Sequence, residues 1–137
     1  MSRILAIDYG LKRCGLAVTD ELQLIANPLD AVETAKLFDF LDKYTSENKV
    51  QEIVIGLPTR MHGEEGLIEP EIQKFISKFK EKYPSIPVMR QDERFTSLMA
   101  SRAIFESGAK KKKRQEKGLI DKVSATLILQ SYMESKH

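Results

Sequence analysis

RILAIDYGLKRCGLAVTD, residues 3–20, reads as a strand, a tight glycine-containing turn and a second strand. Ile4, Leu5, Ala6 and Ile7 form the kind of apolar run that is buried on both faces of a sheet. Asp8 ends that run. A lone carboxylate in such a place is costly unless it is paired, hydrogen-bonded or bound to a metal. Tyr9-Gly10 turns the chain, Lys12 and Arg13 put cations at the tip, and Gly15 to Thr19 carry it back. An acid on a core strand beside a basic hairpin is a first piece of a metal-and-phosphate site.

Outward from this hairpin, Leu22, Leu24 and Ile25 read as a third strand after a turn at Asp20-Glu21, ended by Asn27-Pro28. The period then changes. Thr34 is a candidate N-cap, and Leu37, Phe40, Leu41 and Tyr44 follow at helical spacing to about Asn48. Ile53-Val54-Ile55, closed by Gly56, reads as a central strand reached by a crossover and parallel to the first. Leu57 to Glu69 reads as an exposed loop past the carboxyl end of that strand, a usual place for a site in an α/β sheet.

A second helix starts by Glu71 or earlier, with Pro70 near its first turn, and carries Ile72, Phe75, Ile76, Phe79 and Tyr83 on one stripe. Ile86 to Gln91 is a fifth strand, closed by Asp92-Glu93-Arg94. Thr96 or Ser97 caps a helix that ends near Gly108. A last helix begins at Leu119. The expectation is one α/β domain over residues 1–137, with a five-stranded mixed sheet whose first three strands are antiparallel, flanked by helices.

The totals narrow the chemistry. The chain has 137 residues, 42% hydrophobic and 31% charged, enough for a real core and too apolar for a disordered chain. Net charge is only +2, so any bias toward nucleic acid must lie in where the charges sit. Cys14 is the one cysteine and His62 and His137 the two histidines, which excludes an internal disulfide and a Cys- or His-rich metal site. A metal here would be held by carboxylates, which favours Mg²⁺ or Mn²⁺. The sequence shows no signal-peptide pattern and no apolar run of about 18 residues, so a cytoplasmic protein is expected.

Three carboxylates fall at telling places: Asp8 ends the first strand, Glu93 ends the fifth and Asp121 opens the last helix. Asp121, Ala125, Ile128 and Tyr132 share one helical stripe, so Asp121 should face the sheet. Converging carboxylates suit a hard divalent cation, and two such ions can activate a water and stabilise a leaving oxygen. Bland alternatives stay open: Asp8 could cap the turn or pair with Lys12 or Arg13, Glu93 could pair with Arg94, and Asp121 could answer a helix dipole. Asp92 rivals Glu93, because strand alternation sends the two to opposite faces. The block Lys110, Lys111, Lys112, Lys113, Arg114 is first of all a solvated loop. With Lys12, Arg13, Arg60 and Arg94 it could also form a track for a phosphate backbone. No aromatic residues are interleaved with it, so base stacking is not its task. Cys14 reads as a small half-buried residue and not a nucleophile.

DYGLKRCGLA (residues 8–17), IGLP (55–58), DERFTS (92–97) and the Lys-Arg block before Asp121 together resemble the YqgF family, also called RuvX. Its members are described as pre-ribosomal-RNA nucleases and as Holliday junction resolvases. The resemblance runs from about Ile4 to Tyr132; each motif is moderate alone, and four in order are specific. It implies a ribonuclease H-like fold related to RuvC-type resolvases, and a bacterial cytoplasmic nuclease that takes part in maturing the 5′ end of small-subunit ribosomal RNA, with ribosomal particles as a candidate partner. Resolution of branched DNA is the alternative, and a non-catalytic nucleic-acid-binding protein of the same fold is another. The family's acidic positions carry over to Asp8, Glu93 and Asp121, with Mg²⁺ or Mn²⁺ as the cofactor. Cys14 stands where the family often has an aliphatic residue, and Ser124 where RuvC-type resolvases can carry a further acid. An actin- or sugar-kinase-type phosphotransferase also opens with an Asp-Xaa-Gly hairpin, but needs a second lobe that 137 residues do not hold.

Overall fold

A computed structural model describes residues 2–57, 65–92 and 117–135. Its strands are β1 (Arg3–Asp8), β2 (Arg13–Thr19), β3 (Ala26–Glu33), β4 (Val50–Leu57) and β5 (Val88–Asp92). Its helices are α1 (Leu37–Glu47, preceded by a 3₁₀ turn at Thr34–Lys36), α2 (Glu65–Lys82) and α3 (Lys117–Ser135). The strands form one five-stranded sheet in the order β3-β2-β1-β4-β5. β1–β2 and β2–β3 are antiparallel; β1–β4 and β4–β5 are parallel. This is the expected mixed sheet with an antiparallel meander at one side.

Strand alternation divides the core into two layers. Leu5, Ile7, Cys14, Leu16, Ile53 and Ile55 point to the side covered by α1 and α2, where Leu37, Leu41, Ile72, Phe75, Ile76 and Phe79 meet them. Ile4, Ala6, Ala17 and Val54 point to the other side, against Ala125, Ile128, Leu129 and Tyr132 of α3. Ala6, Ala17 and Ala125 in this second layer, with Gly15 on the same face of β2, let α3 lie close to the sheet. The even positions of β1 face α3, and Asp8 is the last of them.

Three local expectations are corrected. Leu22, Leu24 and Ile25 are not in a strand; they are 60%, 69% and 62% exposed, in the turn before β3. The Asp20 carboxylate accepts the backbone N–H of Leu22, Leu24 and Ile25, which folds that segment into a turn, and Gln23 takes a left-handed φ of 58°. Asn27-Pro28 does not end the strand but lies inside β3. An edge strand tolerates proline, and β3 carries a register shift there: Leu16 pairs with Asp30 and Ala17 with Pro28, leaving Leu29 as the extra residue of a bulge. Thr34 does not cap α1. Its hydroxyl donates instead to the Gly10 carbonyl at 2.7 Å, and its N–H to the Lys12 carbonyl at 2.9 Å, so it ties the β1–β2 turn to the crossover.

α2 starts before Glu71, within the range expected, and takes in the last residues of the segment read as a loop, Glu65–Glu69, with Pro70 inside it. The helix expected between Thr96 and Gly108 and the loop around Met61 fall outside the described residues, save the flanks Leu57 and Glu65–Glu69. The α1/α2 layer depends on large side chains with no exposure, Phe79 above all. Phe79→Ala should lower unfolding free energy by about 3–5 kcal/mol. Denaturant unfolding checks this, with a lower midpoint and an unchanged slope as the expected result.

Candidate active site

The site grows from the end of β1. Asp8 is the residue at which the apolar run stops, and its register partner across the hairpin is Gly15 of β2. Gly15 is where α3 comes in. A Cβ at Gly15 would overlap the backbone carbonyl of Asp121 and stand 3.0 Å from its Cα. Only a residue without a side chain leaves room for that approach, which brings Asp121 next to the strand that faces Asp8. The turn itself is equally tight: a Cβ at Gly10 would overlap the Arg13 carbonyl oxygen.

The two acids feel each other. Asp8 is half-buried at the end of its strand, and its carboxyl is pushed from the ordinary 3.8 up to about 7, first by burial and then by the Asp121 charge. Among the described residues no donor or cation contacts the Asp8 carboxylate, so nothing there offsets the cost of charging it. Asp121 has a partner. Arg13 Nε donates to Asp121 Oδ2 at 2.9 Å in a partly buried ion pair. Arg13 therefore answers Asp121, not Asp8, and the pairing of Asp8 with Lys12 or Arg13 considered from the sequence is not formed. Lys12 is exposed at the hairpin tip, available to a phosphate.

Other expected residues are placed as follows. Asp121 shares its stripe with buried Ala125, Ile128 and Tyr132, as the spacing predicts. Ser124, one helical turn after Asp121 on α3, is buried at 2% exposure. Cys14 is more buried than expected: it points into the α1/α2 layer, Sγ lying 3.5 Å from the Thr34 hydroxyl, and burial pushes its thiol pKa up, which removes it as a nucleophile.

At the other candidate strand, Arg90 reaches α2: it donates to both Glu69 carboxylate oxygens, at 2.9 and 2.8 Å, and to the Ile55 and Gly56 carbonyls. Alternation puts Asp92 on that same α2 side, away from Asp8. Glu93, Arg94, Arg60, His62 and Lys110 to Arg114 lie outside the described residues. Among the described residues no group of three or more His, Cys, Asp or Glu side chains gathers as a metal cage.

A half-buried, uncompensated carboxylate beside a second carboxylate is a donor set that fits a hard divalent cation, which would neutralise both. Neither the contact of Gly15 with Asp121 nor the pairing of Arg13 with Asp121 is marked in the sequence pattern. The run Gly15-Ala17 on one strand face marks a close helix approach, but the identity of the approaching residue is tertiary information.

Two outcomes follow. Because Asp8 titrates near 7 when folded and near 4 when unfolded, the folded protein holds the extra proton between those values. Metal-free stability should therefore fall as pH rises from about 4 to 7, by an order of a few kcal/mol. Urea unfolding in EDTA at pH 5, 6, 7 and 8 should show this decline, and Asp8→Asn should flatten it and be the more stable protein at pH 8. Gly15→Ala should cost about 1–3 kcal/mol, read by thermal unfolding, as α3 is pushed off β2.

Comparison with known proteins shows the family and the fold. Residues 2–135 match the family model RuvX, described as Holliday junction resolvase. A Bacteroides thetaiotaomicron protein named "Putative pre-16S rRNA nuclease" is 51% identical over 136 residues, covering 99% of each chain. A Porphyromonas gingivalis protein of the same name is 52% identical, covering 98% of each. Among solved structures, T. thermophilus RuvC in complex with a Holliday junction substrate aligns with 99% of this chain and 96% of its own, at TM-score 0.60 and 15% identity, which shows a shared ribonuclease H-like α/β fold. The chain belongs to the RuvX family.

Proposed function

We propose that this protein is a divalent-metal-dependent nuclease that hydrolyses phosphodiester bonds in the 5′-end processing of the small-subunit ribosomal RNA precursor. The observation that carries the reading is the Asp8–Asp121 pair: one carboxyl with no compensating partner among the described residues, held beside a second by a glycine-only contact. Relatives about half identical over nearly the whole chain carry the nuclease name, which supports the choice of substrate. The protein would act as one domain over residues 1–137, in the cytoplasm, on RNA or on ribosomal particles. Among the described residues no helix is long and apolar enough to cross a membrane.

Asp8 and Asp121 would hold Mg²⁺ or Mn²⁺, with Glu93 as the third acid. Asp92 is the weaker choice because it lies on the α2 side of β5. The bound ion would supply Lewis-acid activation of water and charge neutralisation at the leaving oxygen. Asp8 must release its proton to serve as a ligand, so loading should weaken below pH 7. Lys12, Arg13, Arg60, Arg94 and the residues Lys110, Lys111, Lys112, Lys113 and Arg114 would hold the nucleic-acid backbone.

The description of the matching family favours a second reading, resolution of branched DNA. Cutting two strands symmetrically would call for a dimer. Both are tested with a labelled precursor RNA carrying its 5′ extension and a labelled four-way DNA junction, each with Mg²⁺, Mn²⁺ or EDTA. Metal-dependent cutting of the RNA, lost by roughly a hundredfold or more in Asp8→Asn and Asp121→Asn, is expected, because even partners of metal ligands cost 10–100-fold when removed. Symmetric cutting of the junction alone would favour the resolvase. Undiminished cutting by Asp8→Asn would refute the metal role, and RNA binding without cutting, even on assembled precursor particles, would point to a binding protein.

A further inference from the structure

Arg13 opens β2 on the face that α3 covers, two residues before the glycine against which Asp121 lies. Its Nε is 2.9 Å from Asp121 Oδ2, and the side chains of the pair are 37% and 22% exposed. A guanidinium is a permanent cation with donors only. In the metal-free protein it supplies the positive charge paired with Asp121. A divalent cation bound by Asp121 would draw on the same carboxylate and repel the guanidinium beside it.

We propose that Arg13 is a positioning residue that holds Asp121 in the metal-free protein, is displaced when a divalent cation binds, and is thereby released to take a substrate phosphate. The inference rests on the metal reading of the site given above. The partial exposure of Arg13 leaves the freed side chain room to turn outward, toward the tip where exposed Lys12 already stands. The guanidinium fork then suits a phosphate as well as it suited a carboxylate. The consequence is an order of events. Metal loading frees a phosphate ligand, and phosphate binding by Arg13 removes a competitor from Asp121. The two binding steps favour each other by the same factor, as linkage requires.

The test is Mn²⁺ binding without nucleic acid, by calorimetry, for wild type, Arg13→Gln and Arg13→Lys, with thermal unfolding to check that each is folded. Arg13→Gln should bind Mn²⁺ about three- to tenfold more tightly, the range expected for a partly exposed ion pair that no longer has to be broken. Arg13→Lys, which keeps the charge, should return toward wild type, and the gain in Arg13→Gln should shrink as NaCl is raised. A second readout uses wild type alone. The Arg13 Nε–H resonance, assigned by its loss in Arg13→Lys, should be protected from solvent exchange without metal and lose that protection as Mg²⁺ is added. Unchanged or weaker Mn²⁺ binding in Arg13→Gln, or an Nε–H that ignores Mg²⁺, would overturn the inference and leave Arg13 as a structural tie. Absence of Mn²⁺ binding in wild type and variants alike would instead overturn the metal-centre reading, and this inference with it.

Discussion

The backbone contact between α3 and β2 is the constraint on which the site depends. At Gly15 the two backbone segments approach more closely than any side chain permits, and Asp121 is the residue on the other side of that contact. The sheet face beneath α3 is built to allow it, with Ala6, Ala17 and Ala125 keeping the helix low. On the other face the sheet carries Phe75, Phe79 and leucines, where bulk and not proximity is wanted. One sheet thus has a thick layer that stabilises and a thin layer that brings two acids together.

That closeness has an electrostatic cost. Asp8 sits at the end of a buried strand with Asp121 near it, and both burial and the neighbouring charge disfavour its ionised form. Among the described residues Arg13 pairs with Asp121 and not with Asp8. Below about pH 7 the arrangement is a protonated acid beside an ion pair. A carboxylate at the end of an apolar strand, with a second one beside it, is where a shifted pKa is expected.

Much of this was legible in the sequence, for local reasons. The apolar run before Asp8, the stripe that carries Asp121 and the crossover into Ile53-Val54-Ile55 all follow from periodicity, which reflects burial directly. What was not legible is tertiary. Arg13 and Asp121 are 108 positions apart, and nothing in either segment names the other as partner. Thr34 has the chemistry of a helix cap but finds the Gly10 carbonyl first. Leu22, Leu24 and Ile25 look like a strand by composition, yet the Asp20 carboxylate claims their backbone N–H groups. Pro28 reads as a strand breaker, but an edge strand with a bulge has no need of its missing N–H.

The most direct test of the account is where a metal ion sits. Anomalous diffraction from crystals of the wild-type protein grown with Mn²⁺ would locate it independently of activity. The account predicts a peak beside the Asp8 and Asp121 carboxylates at the carboxyl end of β1. Mn²⁺ bound elsewhere with that position empty, or the two carboxylates occupied only by protein donors at saturating Mn²⁺, would contradict it.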